Sequence, residues 1–216
     1  MIKAVIFDMD GLMINSEVAT FHCYEKVMER LGYTITEEFY KTLLGKTLKT
    51  CYQLFFEAYG NDFPMDQVLT DVHQELADIF DNEGVPIKDG LIELLIYLKE
   101  NQYKTIVATS SGRKRVDHIL ELADLTKYFD NSICGDEVTH GKPNPEVFLR
   151  ACEKLDVQPN EAIVLEDSEA GIQAAYSGHI PVICIPDMKY PEKQYEDMTT
   201  AMLSSLDQVI TYLRKD

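Results

Sequence analysis

The apolar run from Ile2 to Phe7 stops at Asp8-Met9-Asp10-Gly11. Three later stretches have the same shape. Thr105 to Ala108 ends in Thr109-Ser110-Ser111-Gly112, and Ala162 to Leu165 ends in Glu166-Asp167-Ser168. Between them, Ser132-Ile133-Cys134 is followed within a few residues by Gly141-Lys142-Pro143-Asn144-Pro145. Runs that are apolar without alternation, each followed by a helical pattern, predict buried parallel strands. A fifth strand is expected over Pro181 to Ile185.

Between the first and second runs the pattern is helical throughout. Asn15 can cap a helix whose apolar residues Val18, Phe21, Met28 and Leu31 recur near helical spacing and stop at Gly32. Leu48, Cys51, Tyr52, Phe55 and Tyr59 make a second face ending at Gly60, and Val68, Val72, Leu76, Ile79 and Phe80 make a third. Residues 15–85 therefore read as an all-helical domain inserted directly after the first strand, with Gly84-Val85-Pro86 as the return. The remainder alternates. Helices over 89–101, 113–123, 145–155 and 168–177 each lead to the next strand, and a last amphipathic helix carries Leu203, Leu206, Val209, Ile210 and Leu213. This βαβα order predicts an α/β fold, a doubly wound parallel sheet built from residues 1–14 and 86–216.

The polar ends of the runs carry the chemistry. Burying two carboxylates at a strand end costs on the order of several kcal/mol unless something pairs with them, so Asp8 and Asp10 belong at an exposed tip. Residues two apart on a strand face the same way, and Gly11 opens the turn beyond. Two acids and a turn suggest a nucleophile, an acid/base and a metal. In an open parallel sheet the C-terminal strand ends line one crevice, so the four motifs converge there. Plainer roles compete. Asp8 and Asp10 could cap a turn, one of Thr109, Ser110 and Ser111 is expected to cap the next helix, and Glu166 and Asp167 could be first-turn acids. Capping and anion binding are compatible, because a helix N-terminus is itself an anion site. Arg113-Lys114-Arg115 reads as a solvated helix face, and the histidines at 22, 73, 118, 140 and 179 show no metal-ligand spacing.

A formal net charge of −17 over 216 residues argues against nucleic acid and anionic membrane surfaces as partners. It leaves a small anionic substrate open, since a local cation or metal can dominate a site. Five widely spaced cysteines without a CxxC pair read as reduced core residues of a cytoplasmic protein. Met1-Ile2-Lys3 runs directly into the first strand with no signal peptide, no stretch is long enough to span a bilayer, and nothing demands more than a monomer.

With an Asp-x-Asp-Gly, a Thr/Ser after the second strand, a Lys-Pro and an acidic pair in that order, the chain resembles the haloacid dehalogenase (HAD) superfamily of phosphotransferases. Within it the chain resembles the β-phosphoglucomutase and sugar-phosphate phosphatase branch. The likeness covers nearly the whole chain, and the helical insert is similar to that branch's cap domain on a Rossmann-like core. The resemblance implies that Asp8 is the nucleophile that becomes an aspartyl phosphate and Asp10 the general acid/base. It implies that Thr109, with the Ser110 backbone, binds the phosphoryl group and that Lys142 neutralises it. Asp8, Asp10, Glu166 and Asp167 would form a Mg²⁺ site, Asp10 through its backbone carbonyl. The cation has a physical reason. Each unit-charge pair of phosphate and carboxylate at about 4 Å costs on the order of 4 kcal/mol at an effective dielectric of about 20. The implied substrate is a small phosphorylated metabolite. Members resembling the mutase carry a His on the first cap helix and an Arg three residues after a cap glycine. Thr20 and Leu48 stand at those positions here, which leans toward a phosphatase of sugar or polyol phosphates and away from a mutase. A dehalogenase would leave Asp10 and the acidic pair without a role. A phospho-accepting signalling receiver shares the Asp cluster, Thr/Ser, Lys and Mg²⁺, but has no use for an inserted lid.

Overall fold

A computed structural model describes residues 1–46 and 48–214. The expected helical domain and core extend over Thr47, and over Lys215 and Asp216, which lie outside the described residues. The chain divides into two compact units, Met1–Asn15 with Val85–Asp216, and Ser16–Gly84.

In chain order, strand β1 (Ala4–Phe7) is followed by helices α1 (Ser16–Arg30), α2 (Glu37–Leu43), α3 (Leu48–Tyr59) and α4 (Met65–Glu83). Then come α5 (Leu91–Glu100), β2 (Lys104–Ala108), α6 (Arg113–Leu122), β3 (Asn131–Ile133), α7 (Glu146–Leu155) and β4 (Ala162–Glu166). The chain continues with α8 (Glu169–Ser177), β5 (Val182–Cys184), α9 (Lys193–Glu196), β6 (Ala201–Met202) and α10 (Gln208–Leu213).

The first unit is a parallel sheet in the order β3-β2-β1-β4-β5-β6. β1 lies between β2 and β4, and all four of its residues are fully buried, which is why it reads as an unbroken apolar run. Ala4 and Ile6 pack on one face with Phe148 and Ala151 of α7 and Ile172 and Ala175 of α8. On the other, Phe7 meets Phe129 edge-on at 5.5 Å. The strand order reverses around β1, so this is the topological switch point of the sheet.

Two features depart from the sequence reading. β6 pairs with β5 through only two residues, too short to show a period, and Leu203 follows it with its N–H donated to the Cys184 carbonyl at 2.9 Å. Among the described residues the last helix is therefore only the six residues of α10, and neither Leu203 nor Leu206 is on it.

Among the described residues the second unit holds four helices where three faces were legible. The additional one, α2, is capped by the Thr36 hydroxyl, which accepts from the Phe39 N–H at 3.2 Å. Phe55 of α3 is fully buried, stacked on Phe63 and met edge-on by Phe39 at centroid distances of 5.3 and 5.2 Å. In α4 the spaced residues Val68, Val72, Leu76 and Phe80 are buried as their period requires. Val18 and Leu31 of the first expected face are exposed, because the buried stripe of α1 runs through Phe21, Tyr24, Val27 and Met28, and Leu48 at the start of α3 is exposed too.

Candidate active site

Strand register brings the motifs together. Phe7 pairs with Val107 on one side and Leu165 on the other, so the residues that follow, Asp8, Ala108 and Glu166, lie level at one end of the sheet. The Asp8 N–H donates to the Leu165 carbonyl at 3.0 Å, which fixes Asp8 at the tip of β1.

Lys142 joins all three of these residues. Its Nζ donates to Asp8 Oδ1 at 2.5 Å, to Glu166 Oε1 at 2.7 Å and to the Ala108 carbonyl at 3.3 Å. It also lies 4.7 Å from the centroid of the Phe148 ring, a cation–π contact from α7. All three charged groups are buried. Desolvation pushes the Asp8 carboxyl up to about 7, with Lys142 working against that rise and Glu166 adding to it. Burial alone would lower Lys142, but Asp8 and Glu166 outweigh it and hold the ammonium above the usual lysine range. The loop that carries Lys142 is pinned by Glu146, whose carboxylate accepts from the Thr139 and His140 N–H groups at 2.9 Å each.

Glu166 departs from its expected role. Oε1 is taken by Lys142, and Oε2 accepts from Asp167 N, Ser168 N and Ser168 Oγ at 2.9, 2.8 and 2.9 Å. With both oxygens committed and no exposed surface, its carboxylate holds the lysine and the β4–α8 turn rather than facing a metal. Gly171 makes this possible, since a Cβ there would lie 1.7 Å from Glu166 Oε1. Ser168 in turn caps α8, accepting from the Gly171 N–H at 3.1 Å.

Thr109 is 1% exposed and its Oγ1 accepts from the Ser111 N–H at 3.1 Å, leaving the hydroxyl proton to be given elsewhere. Ser110 is exposed, and its carbonyl lies so close to Gly135 that a Cβ there would come within 2.1 Å. None of Thr109, Ser110 and Ser111 caps α6. The cap position is Gly112, and the Asp136 carboxylate receives the Arg113 N–H at 3.0 Å.

Asp10 is held from α6. Arg115 grips it with a fork, Nη1 to Oδ2 at 2.7 Å and Nη2 to Oδ1 at 2.8 Å, and Ser111 Oγ donates to Oδ2 at 2.8 Å. This corrects the reading of Arg113-Lys114-Arg115 as a solvated face. Lys114 alone is exposed, while Arg113 binds Ser132, Asp117 and Glu137. The spacing of Ser111 and Arg115 by four residues was the available signal, since it puts both on one side of the helix start. What they would touch was not.

Asp167 lies against the same turn. Gly11 has φ +82°, and a Cβ on it would sit 2.3 Å from Asp167 Oδ2. A hard divalent cation fits the groups here, because Asp8, Asp167 and the Asp10 backbone offer oxygen and neither sulfur nor imidazole. In the expected set Asp10 binds through its backbone carbonyl, so only the Glu166 carboxylate is turned elsewhere than expected. The Asp10 carboxylate is turned to Arg115 and that of Glu166 to Lys142. Among the described residues, the trio of metal-ligating side chains whose donor atoms all lie within 4.8 Å of one another is Cys134, Asp136 and Glu137. Glu137 in that trio is already bound to Arg113 and to the Cys134 N–H.

Comparison with known proteins identifies the family. The chain is 34% identical over 178 residues to the phosphorylated carbohydrates phosphatase of Thermotoga maritima, an alignment covering 82% of each protein. It is 30% identical over 175 residues to the validoxylamine A 7'-phosphate phosphatase of Streptomyces hygroscopicus subsp. limoneus, covering 81% of each. The crystal structure of a candidate beta-phosphoglucomutase from Thermotoga maritima superposes with a TM-score of 0.83 at 30% identity over 99% of both chains. Residues 5–185, which include every motif at the strand ends, match the haloacid dehalogenase-like hydrolase family, and the chain belongs to it.

Proposed function

We propose that this chain is a phosphatase of small phosphorylated metabolites, sugar or polyol phosphates, acting through an aspartyl phosphate on Asp8. The observation that carries the reading is the buried Asp8–Lys142–Glu166 cluster at the switch point. A carboxylate placed at a strand tip against a lysine, with a second carboxylate fixing that lysine, suits nucleophilic attack on an anionic centre. The phosphatase activities of the two relatives support the same class of substrate. Thr20 and Leu48, where a mutase of this branch carries His and Arg, favour water over a second sugar as the acceptor.

In the proposed sequence an Asp8 oxygen attacks phosphorus in line, the P–O bond to the alcohol breaks, and Asp10 gives its proton to the departing oxygen. Water then attacks the phosphorus of the aspartyl phosphate, Asp10 takes the proton, and the bond to Asp8 breaks to restore the carboxylate and release phosphate. The Thr109 hydroxyl and the Ser110 N–H donate to the phosphoryl oxygens, and the Lys142 ammonium offsets their charge. Mg²⁺ held by Asp8, Asp167 and the Asp10 carbonyl would supply the positive charge that lets a phosphate dianion approach these acids. The test is a phosphate-release screen over phosphorylated sugars and polyols with Mg²⁺ present, run on wild type and Asp8→Asn. Loss of at least about 100-fold in the folded variant is expected. Turnover retained within about tenfold would remove Asp8 as the nucleophile.

A further inference from the structure

We infer that Arg115 is a positioning residue for the Asp10 carboxylate, with Ser111 as the acceptor that lets it release one oxygen. The inference rests on Asp10 being the proton-transfer group of the proposed reaction. The fork from Nη1 and Nη2 to the two Asp10 oxygens fixes the plane of the carboxylate, as a lysine could not. Nη1 makes a second bond, to Ser111 Oγ at 2.7 Å, while Ser111 Oγ itself donates to Asp10 Oδ2. The three groups form a closed ring of hydrogen bonds around Oδ2. A carboxylate whose oxygens both accept from donors carries no proton, so it can serve a departing alcohol only after one oxygen is freed and takes a proton from water. When Oδ2 turns away, Nη1 keeps Ser111 as its acceptor and Nη2 keeps Oδ1, so the carboxylate swings on a fixed pivot.

Two plainer roles fit the geometry less well. Anchoring α6 does not require Arg115, because Arg113 already ties that helix start to Ser132 and Glu137, with its N–H on Asp136. An ion pair whose side chains are 37% and 28% exposed adds little stability in any case. A phosphate-binding arginine would present its fork to solvent or substrate, whereas here the paired edge is spent on Asp10.

The experiment compares Arg115→Met, Arg115→Lys and Ser111→Ala with wild type on an alkyl phosphate and on an aryl phosphate with a good leaving group. The value read is kcat/KM, which covers events up to release of the alcohol and excludes hydrolysis of the intermediate. Inhibition by inorganic phosphate and the thermal midpoint are read alongside. A misplaced proton donor costs about 10- to 100-fold. Arg115→Met is therefore expected to lose about that much on the alkyl ester and less than about threefold on the aryl ester, with phosphate inhibition and the midpoint unchanged. Arg115→Lys should recover part of the loss, and Ser111→Ala should show a smaller loss of the same selectivity. Equal losses on both esters with a lowered midpoint would make Arg115 structural and overturn the inference. Weakened phosphate inhibition with kcat unchanged would make it a substrate ligand, and no change on either ester would give it no role. Asp10→Asn is the control that separates the two levels. An alkyl-selective loss in Asp10→Asn but none in Arg115→Met refutes the role of Arg115 alone. No alkyl selectivity in Asp10→Asn, or no phosphate release by wild type, refutes the proton-transfer reading beneath it.

Discussion

Lys142 lies between two buried carboxylates, and at the scale of single residues that arrangement has consequences for stability as well as chemistry. Removing the cation strands Asp8 and Glu166 together without water, and breaking a buried ion pair from one side costs about 3–5 kcal/mol. Lys142→Met should therefore lower the unfolding free energy of the metal-free protein by about that amount in a denaturant titration. Asp8 behaves in the opposite sense. Its carboxyl is raised from 3.8 to about 7 in the folded chain, so between those values the folded state holds a proton that the unfolded state has lost. Stability from this group is complete below the lower value and disappears as pH rises through the upper one. The thermal midpoint of metal-free wild type should thus fall relative to Asp8→Asn on going from about pH 5 to about pH 8, because Asn carries no charge to bury. A difference that does not change across that range would show that Asp8 is ionised throughout.

At the scale of elements, each functional group is set by how closely two pieces of backbone approach. Helix α8 comes near enough to Glu166 that Gly171 has no room for a side chain, and the β1 turn meets Asp167 at Gly11 in the same way. Gly171→Ala would drive a methyl into the carboxylate that fixes Lys142. Overpacking of this kind costs about 1–3 kcal/mol, and the shift of Glu166 should lower turnover as well as the thermal midpoint. Alanine at Gly141, where a Cβ meets nothing within 4 Å, is the matched control and should be close to neutral in stability. Strands β1, β2 and β4 were legible because each is a largely apolar buried run that ends in polar residues, whereas β3 has two polar residues of three. β6 was not legible, since two residues of edge pairing carry no pattern, and α2 was missed because only Tyr40 and Leu43 of its seven residues are buried.

For the whole molecule, the net charge of −17 gathers cations and disfavours phosphate, so a divalent cation bound at the proposed site should be strongly salt-dependent. Phosphate release is expected to vanish in excess chelator and to return with Mg²⁺, and Ca²⁺, which takes more ligands, should not restore it. Titration calorimetry should show Mg²⁺ affinity falling as ionic strength rises. Full turnover in chelator would remove the metal from the mechanism. The sequence by itself determined the architecture, because burial of both faces of a parallel strand forces unbroken apolar runs, and it set Asp8, Thr109 and Glu166 where such runs end. The change of period after Gly11 and the return at Gly84 placed a helical insert over 15–85, and the chain divides into compact units at Ser16 and Gly84. What only the tertiary structure decided is which partner each charge takes. Glu166 faces Lys142 because Gly171 lets α8 close on it, and Asp10 faces Arg115 because the β1 turn and the start of α6 meet across about a hundred residues of chain. Periodicity reports which side of an element is buried, but the choice among ion-pair partners depends on distances of a few ångströms between elements, and no local pattern encodes those.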